Sequence, residues 1–98
     1  MLFAFVCTDK PGHLEVRQST RPDHVAYLEG LNAKGTLKFA GPFLDDDGKP
    51  SASLVVVEAA DRAAAALIAE ADPYARAGLF ASVDIRPWNW VFNKPEAA

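Results

Sequence analysis

The chain has 98 residues, half of them apolar, with 10 lysines and arginines against 13 aspartates and glutamates for a net charge of −3. That length supports one domain, residues 1–98, around one core, and the interspersed charges lack the basic stripe that nucleic acid requires. The opening apolar run has no basic lead and is far too short to span a bilayer, so neither a signal peptide nor a membrane helix is expected and a cytoplasmic location is.

Residues 2–7 are rich in Phe and Val and give way to Thr8, Asp9, Lys10, Pro11 and Gly12, the pattern of a first strand and its exit loop. Cys7, the single cysteine, falls in that strand; it excludes an internal disulfide or a multi-cysteine zinc site and is expected to pack as a small hydrophobe. Residues 13–19 contain no glycine or proline and predict a short helix, with His13 facing solvent. A second, principal helix is then expected over residues 20–34. Thr20 stands as its N-cap, Pro22 falls in its first turn, and Asp23 completes a Thr-x-x-acid variant of the capping box. Gly35 is its stop.

On that helix His24, Tyr27, Leu28 and Leu31 occupy positions i, i+3, i+4 and i+7, an inward stripe. His24 would then sit half-buried in a first turn, where the dipole of the helix favours the neutral ring, a usable base. The same place on the stripe suits a core histidine with one satisfied hydrogen bond, and periodicity does not separate the two.

Residues 36–40 alternate as a half-buried second strand ending at Gly41-Pro42. Asp45, Asp46 and Asp47 with Gly48 form a turn; consecutive carboxylates point in different directions and lack the spacing and closing glutamate of a calcium loop, so no metal is expected there. Residues 54–57 are apolar without alternation, as in a central strand covered on both faces. Asp61 is placed to cap a helix with Ala64, Leu67, Ile68 and Ala71 as its inward stripe. Asp72 then caps a proline-initiated turn stopped by Gly78. Residues 79–86 form a last strand with Leu79, Ala81, Val83 and Ile85 on one face and Phe80, Ser82, Asp84 and Arg86 on the other.

Strand, helix, strand, strand, helix, strand is the ferredoxin-like α+β unit, βαββαβ, one antiparallel sheet with two helices on one face. The other face mixes Phe, small and charged residues, and is expected to meet another copy of the chain or to enclose a pocket. Trp88, Trp90 and Phe92 in the tail are expected at that dimer contact, or in the pocket lining. Residues 94–98 read as loose.

Two helices side by side on such a sheet bring their ends together, so Asp72 is the candidate partner for His24. A carboxylate there would fix the ring tautomer and stabilise imidazolium as it forms. A plain N-cap role explains Asp72 equally well.

The chain resembles the YCII-related family. The residues that carry the resemblance are Arg21-Pro22-Asp23-His24 with Tyr27-Leu28; Ala40-Gly41-Pro42 followed by the turn at Asp45-Asp46-Asp47-Gly48; Ala71-Asp72-Pro73-Tyr74 with Gly78-Leu79-Phe80; and Ile85-Arg86-Pro87-Trp88. The resemblance implies a dimeric α+β barrel of two ferredoxin-like units with a His-Asp dyad, His24 and Asp72, in each pocket. One branch of the family removes chloride from chlorinated hydroxyhydroquinones without a cofactor. On that pattern His24 is the general base and Asp72 its orienter, Tyr27, Phe80 and Trp90 flank an aromatic ring, and Arg17 or Arg21 stabilises a developing oxyanion. The expected function is a cofactor-independent acid–base enzyme acting on a small aromatic or quinol-type substrate, without metal, as a homodimer or higher homo-oligomer. A non-catalytic small-molecule-binding or protein-interaction module on the same barrel and a cofactor-free oxygenase are the competing readings.

Overall fold

Alternation along the first strand decides the layering. Phe3, Phe5 and Cys7 are buried while Leu2, Ala4 and Val6 between them are half-covered, so one face of the strand meets the core and the other does not. The structure is a computed structural model and describes residues 1–96. It runs β1 (Leu2–Asp9), α1 (Leu14–Ala33), β2 (Leu37–Leu44), β3 (Pro50–Glu58), α2 (Arg62–Ala71), α3 (Pro73–Arg76) and β4 (Phe80–Trp88). The strands form one antiparallel sheet in the order β2-β3-β1-β4. This is the ferredoxin-like α+β arrangement, with the apolar third strand central, as its lack of alternation implies. Among the described residues no helix is long and apolar enough to cross a membrane.

The core lies between the sheet and α2. Phe3, Phe5 and Cys7 of β1 and Val55 and Val57 of β3 pack with Ala65 and Ala69, whose small side chains let the helix lie close. The α2 stripe is therefore turned from the expected one. Ala65 and Ala69 are buried, Ala64, Ile68 and Ala71 only partly so, and Leu67 faces solvent at 68 % exposure. Asp61 caps α2 as expected, its Oδ1 accepting from the Ala64 N–H at 2.8 Å.

Helix α1 departs most from the sequence reading. It is one helix of 20 residues from Leu14, with Pro22 inside it, and Thr20 and Asp23 cap nothing. The physical reason is a long-range anchor: Arg17, in the first turns of the helix, is bound to Asp9 of β1 and Ser53 of β3. That tertiary hold fixes residues 14–21 as helix, and Pro22 merely leaves the Gln18 carbonyl without its usual intrahelical donor. His24 is consequently mid-helix, away from the dipole's positive end.

The edge strands differ in smaller ways. β2 continues through Gly41 and Pro42 to Leu44, which an edge strand allows because the missing N–H of proline need bond nothing. In β4 the expected apolar face is realised in Leu79, fully buried just before the strand, and Ile85, packed on the core. Ala81 and Val83 are exposed, and Phe80, assigned to the opposite face, also packs on the core.

On the face away from α2, register sets Leu2, Ala4 and Val6 opposite Trp88, Arg86 and Asp84. The aromatic tail covers one end of it from within the same chain: Phe39 meets Trp88 edge-on at 5.6 Å and Trp90 at 5.1 Å between centroids. Phe92 projects at 83 % exposure. The acidic turn is a self-contained hairpin loop in which Asp45 Oδ1 accepts from the Asp47 and Lys49 N–H groups.

Candidate functional site

Helix α1 passes the start of α3, and there the ring of His24 meets the carboxylate of Asp72. Nδ1 lies 2.8 Å from Oδ1 and 3.0 Å from Oδ2. Both residues are buried. Asp72 Oδ1 also accepts from the Tyr74 N–H at 2.9 Å, so the cap of α3 and the partner of His24 are the same atom. A carboxylate on Nδ1 selects the tautomer that donates from Nδ1 and leaves a lone pair on Nε2. Among the described residues Nε2 has no protein partner, and no buried side-chain nitrogen or oxygen is left without one; Nε2 is therefore open to solvent.

His24 lines a cavity of ≈ 290 Å³ between α1 and the β2–β3 side of the sheet. Tyr74 forms part of the wall. Its ring stacks on His24 at 3.9 Å between centroids, 16° from parallel, and the Arg17 guanidinium carbon sits 4.8 Å from the Tyr74 centroid. Burial raises the Tyr74 phenol above its ordinary pKa against the pull of Arg17 and Arg21, so it stays protonated at neutral pH.

Arg17 is held as a fork. Nε bonds Asp9 Oδ2 at 2.7 Å, and Nη2 bonds Asp9 Oδ1 at 2.8 Å and Ser53 Oγ at 2.9 Å. Burial works against the guanidinium charge, but the hydrogen bond and charge of Asp9 outweigh it and hold Arg17 above its ordinary pKa. Arg21, one turn further along α1, is exposed and lines the cavity mouth.

Cys7 lies beneath this group. Burial first, and the Asp72 charge second, push its thiol up to about 12, so it is protonated and inert at neutral pH. Iodoacetamide at pH 8 is expected to leave Cys7 unmodified in the folded chain and to alkylate it once the chain is unfolded in urea, read by mass spectrometry; rapid labelling of the folded chain would contradict this burial.

Three residues expected around a bound ring stand elsewhere. The Tyr27 hydroxyl donates to the Ile68 carbonyl at 2.7 Å, tying α1 to α2. Phe80 meets Tyr74 edge-on at 6.0 Å, outside the cavity lining. Trp90 belongs to the Phe39–Trp88 cluster and, with Lys38 and Glu58, lines a separate cavity of ≈ 300 Å³. Conversely, sequence reasoning does not single out Tyr74, Ser53 or Asp9 as site residues. Only Tyr74 carries a local signal: two residues beyond an Asp-Pro cap, its N–H must reach the capping carboxylate and its ring shares that turn.

The sequence matches the YCII-related domain over residues 1–89. It is 39% identical over 98 residues to Protein YciI of Escherichia coli, a match covering 94% of this chain and 100% of that one. It is 35% identical, with the same coverage, to an uncharacterized protein of Haemophilus influenzae. Among solved structures, the 5-chloro-2-hydroxyhydroquinone dehydrochlorinase TftG of Burkholderia phenoliruptrix AC1100, in complex with 2,5-dihydroxybenzoquinone, is similar with a TM-score of 0.81 and 35% identity, covering 91% of this chain and 94% of that one. An antibiotic biosynthesis monooxygenase shares the fold alone, with a TM-score of 0.54 at 16% identity.

Proposed function

The chain belongs to the YCII-related family, and from that premise we propose that it is a cofactor-independent acid–base enzyme that eliminates HCl from a chlorinated hydroxyhydroquinone or a closely related quinol. The observation that carries this reading is the open Nε2 of His24 beside a ring-sized cavity, with Nδ1 tied to Asp72. A space of ≈ 290 Å³ is at the small end of ligand pockets, which begin at roughly 300 Å³, and suits one substituted ring. The similar dehydrochlorinase acts on a chlorinated quinol of that size and chemistry and holds a dihydroxylated quinone in its complex.

The chemistry balances without a redox partner. His24 Nε2 takes a proton from one phenolic hydroxyl and returns it to the chlorine-bearing ring carbon, giving a ketone with an sp³ C–Cl bond and a neutral imidazole again. Chloride then leaves as the electrons of a second hydroxyl form the other carbonyl, and its proton passes to Nε2 and from there to solvent. Two C–O bonds become C=O, and one H⁺ and one Cl⁻ are lost. Asp72 keeps Nδ1–H directed away from the substrate and stabilises the imidazolium formed midway. We propose as well that the chain is a homodimer joined through the sheet face opposite α2, for which twice the chain mass by light scattering is the check.

The test follows chloride release and ultraviolet spectra over a panel of chlorinated and unchlorinated hydroxyquinols. Turnover is expected for the chlorinated members. Asp72→Asn, whose amide oxygen can still cap Tyr74, is expected to lower kcat by about 10²-fold or more with the fold intact. Saturable binding across the panel with no chemistry would replace the enzyme by a binding domain.

A further inference from the structure

The proposed reaction needs a place for the negative charge that gathers on a ring oxygen as its proton leaves, a role that the sequence leaves open between Arg17 and Arg21. Two buried side chains in the cavity wall have hydrogens to spare for it. Arg17 and Ser53 are each 4 % exposed and both line the cavity. Asp9 and Ser53 occupy Nε and Nη2 of Arg17, and the Tyr74 phenol also engages the guanidinium; Nη1 makes no hydrogen bond within 3.5 Å among the described residues and, since no buried nitrogen is left unpartnered, it is reachable from outside. Ser53 Oγ accepts from Arg17 at 2.9 Å, which fixes its oxygen and leaves its own hydrogen without an acceptor among the described residues. The cavity lining holds no carboxylate, and its titratable groups besides Tyr74 are Arg17, Arg21 and His24.

We propose that Arg17 Nη1 and Ser53 Oγ form a two-donor seat for an anionic ring oxygen of the substrate, so that the site selects ligands bearing a phenolate or enolate rather than neutral aromatics. This rests on the enzymatic reading of the same cavity. The seat is preorganised: the Asp9 fork and the Ser53 bond hold the guanidinium before any ligand arrives, so little reorganisation opposes the developing charge. Ser53 belongs to β3, opposite Cys7 in register, a rigid central position.

The probe is 2,5-dihydroxybenzoquinone, an acidic quinone anionic at neutral pH, compared with its neutral dimethyl ether and titrated into wild type, Ser53→Ala and Ser53→Thr. Wild type is expected to prefer the anion. Ser53→Ala is expected to weaken anion binding about tenfold or more, the loss of a hydrogen bond to a charged acceptor, and to leave ether binding unchanged. Ser53→Thr, which keeps the hydroxyl, restores the preference. Equal affinity of Ser53→Ala and wild type for the anion, a wild type with no preference, or a loss that affects both ligands alike would each overturn the seat. Any of those results leaves chloride release by the wild type standing. Anion selectivity that depends on Ser53 in a chain without chloride release would keep the seat and sink the enzyme.

Discussion

His24→Asn is expected to abolish chloride release while the chain stays folded. The asparagine amide occupies nearly the place of Nδ1 and can still donate to Asp72, so the buried carboxylate keeps a partner; what disappears is Nε2 alone. Loss of a positioned general base lowers turnover by about 10²- to 10⁴-fold. His24→Ala removes both nitrogens and widens the cavity, and it adds a stability cost of about 1–3 kcal/mol because the Asp72 carboxylate loses its side-chain donor. Measuring kcat and a urea midpoint for both variants separates the roles. A histidine that only fills the core would show unchanged turnover in His24→Asn, and the catalytic assignment would then be abandoned.

Arg17→Ala is expected to produce the largest loss of stability of any single truncation around the cavity. The Arg17–Asp9 pair is buried at both ends, with side chains 5 % and 8 % exposed, and its Nε–Oδ2 distance is 2.7 Å. Removing the guanidinium strands a carboxylate away from water, which costs about 3–5 kcal/mol. A small domain has only about 5–15 kcal/mol in hand, so the urea midpoint should fall steeply. Arg17→Met combined with Asp9→Leu removes both charges together and should recover most of the loss, because an apolar pair of similar volume needs no desolvation. If Arg17→Ala unfolds with the wild-type midpoint, the anchoring role given to this pair in forming α1 is wrong.

The pair also explains which parts of the molecule are legible along the chain. The succession of strands and helices along the chain, the central position of β3 and the cap at Asp61 follow from short-range pattern, since alternation and capping act over a few residues. The start of α1 does not. Thr20, Pro22 and Asp23 carry every local mark of a helix beginning, and they are outweighed by a contact from Arg17 to residues 8 and 36 positions away. Trp90 misses the main cavity for a related reason: after β4 the chain folds back on Phe39 at the sheet edge, a partner that no spacing along the tail specifies. His24 and Asp72, 48 residues apart, can be nominated because the βαββαβ order lays their helices side by side, although His24 stands mid-helix and not at the helix start expected for it. Tyr74 and Ser53 cannot, because their relevance lies in what they touch.

A single oxygen of Asp72 answers to two donors, the amide that opens α3 and the imidazole of α1. Serine or threonine at this position would begin the short helix equally well yet leave the ring free to swivel, so sound folding is no guarantee of a working site. Divergent copies of this chain that swap the acid for a hydroxyl should therefore be found intact, soluble and chemically silent.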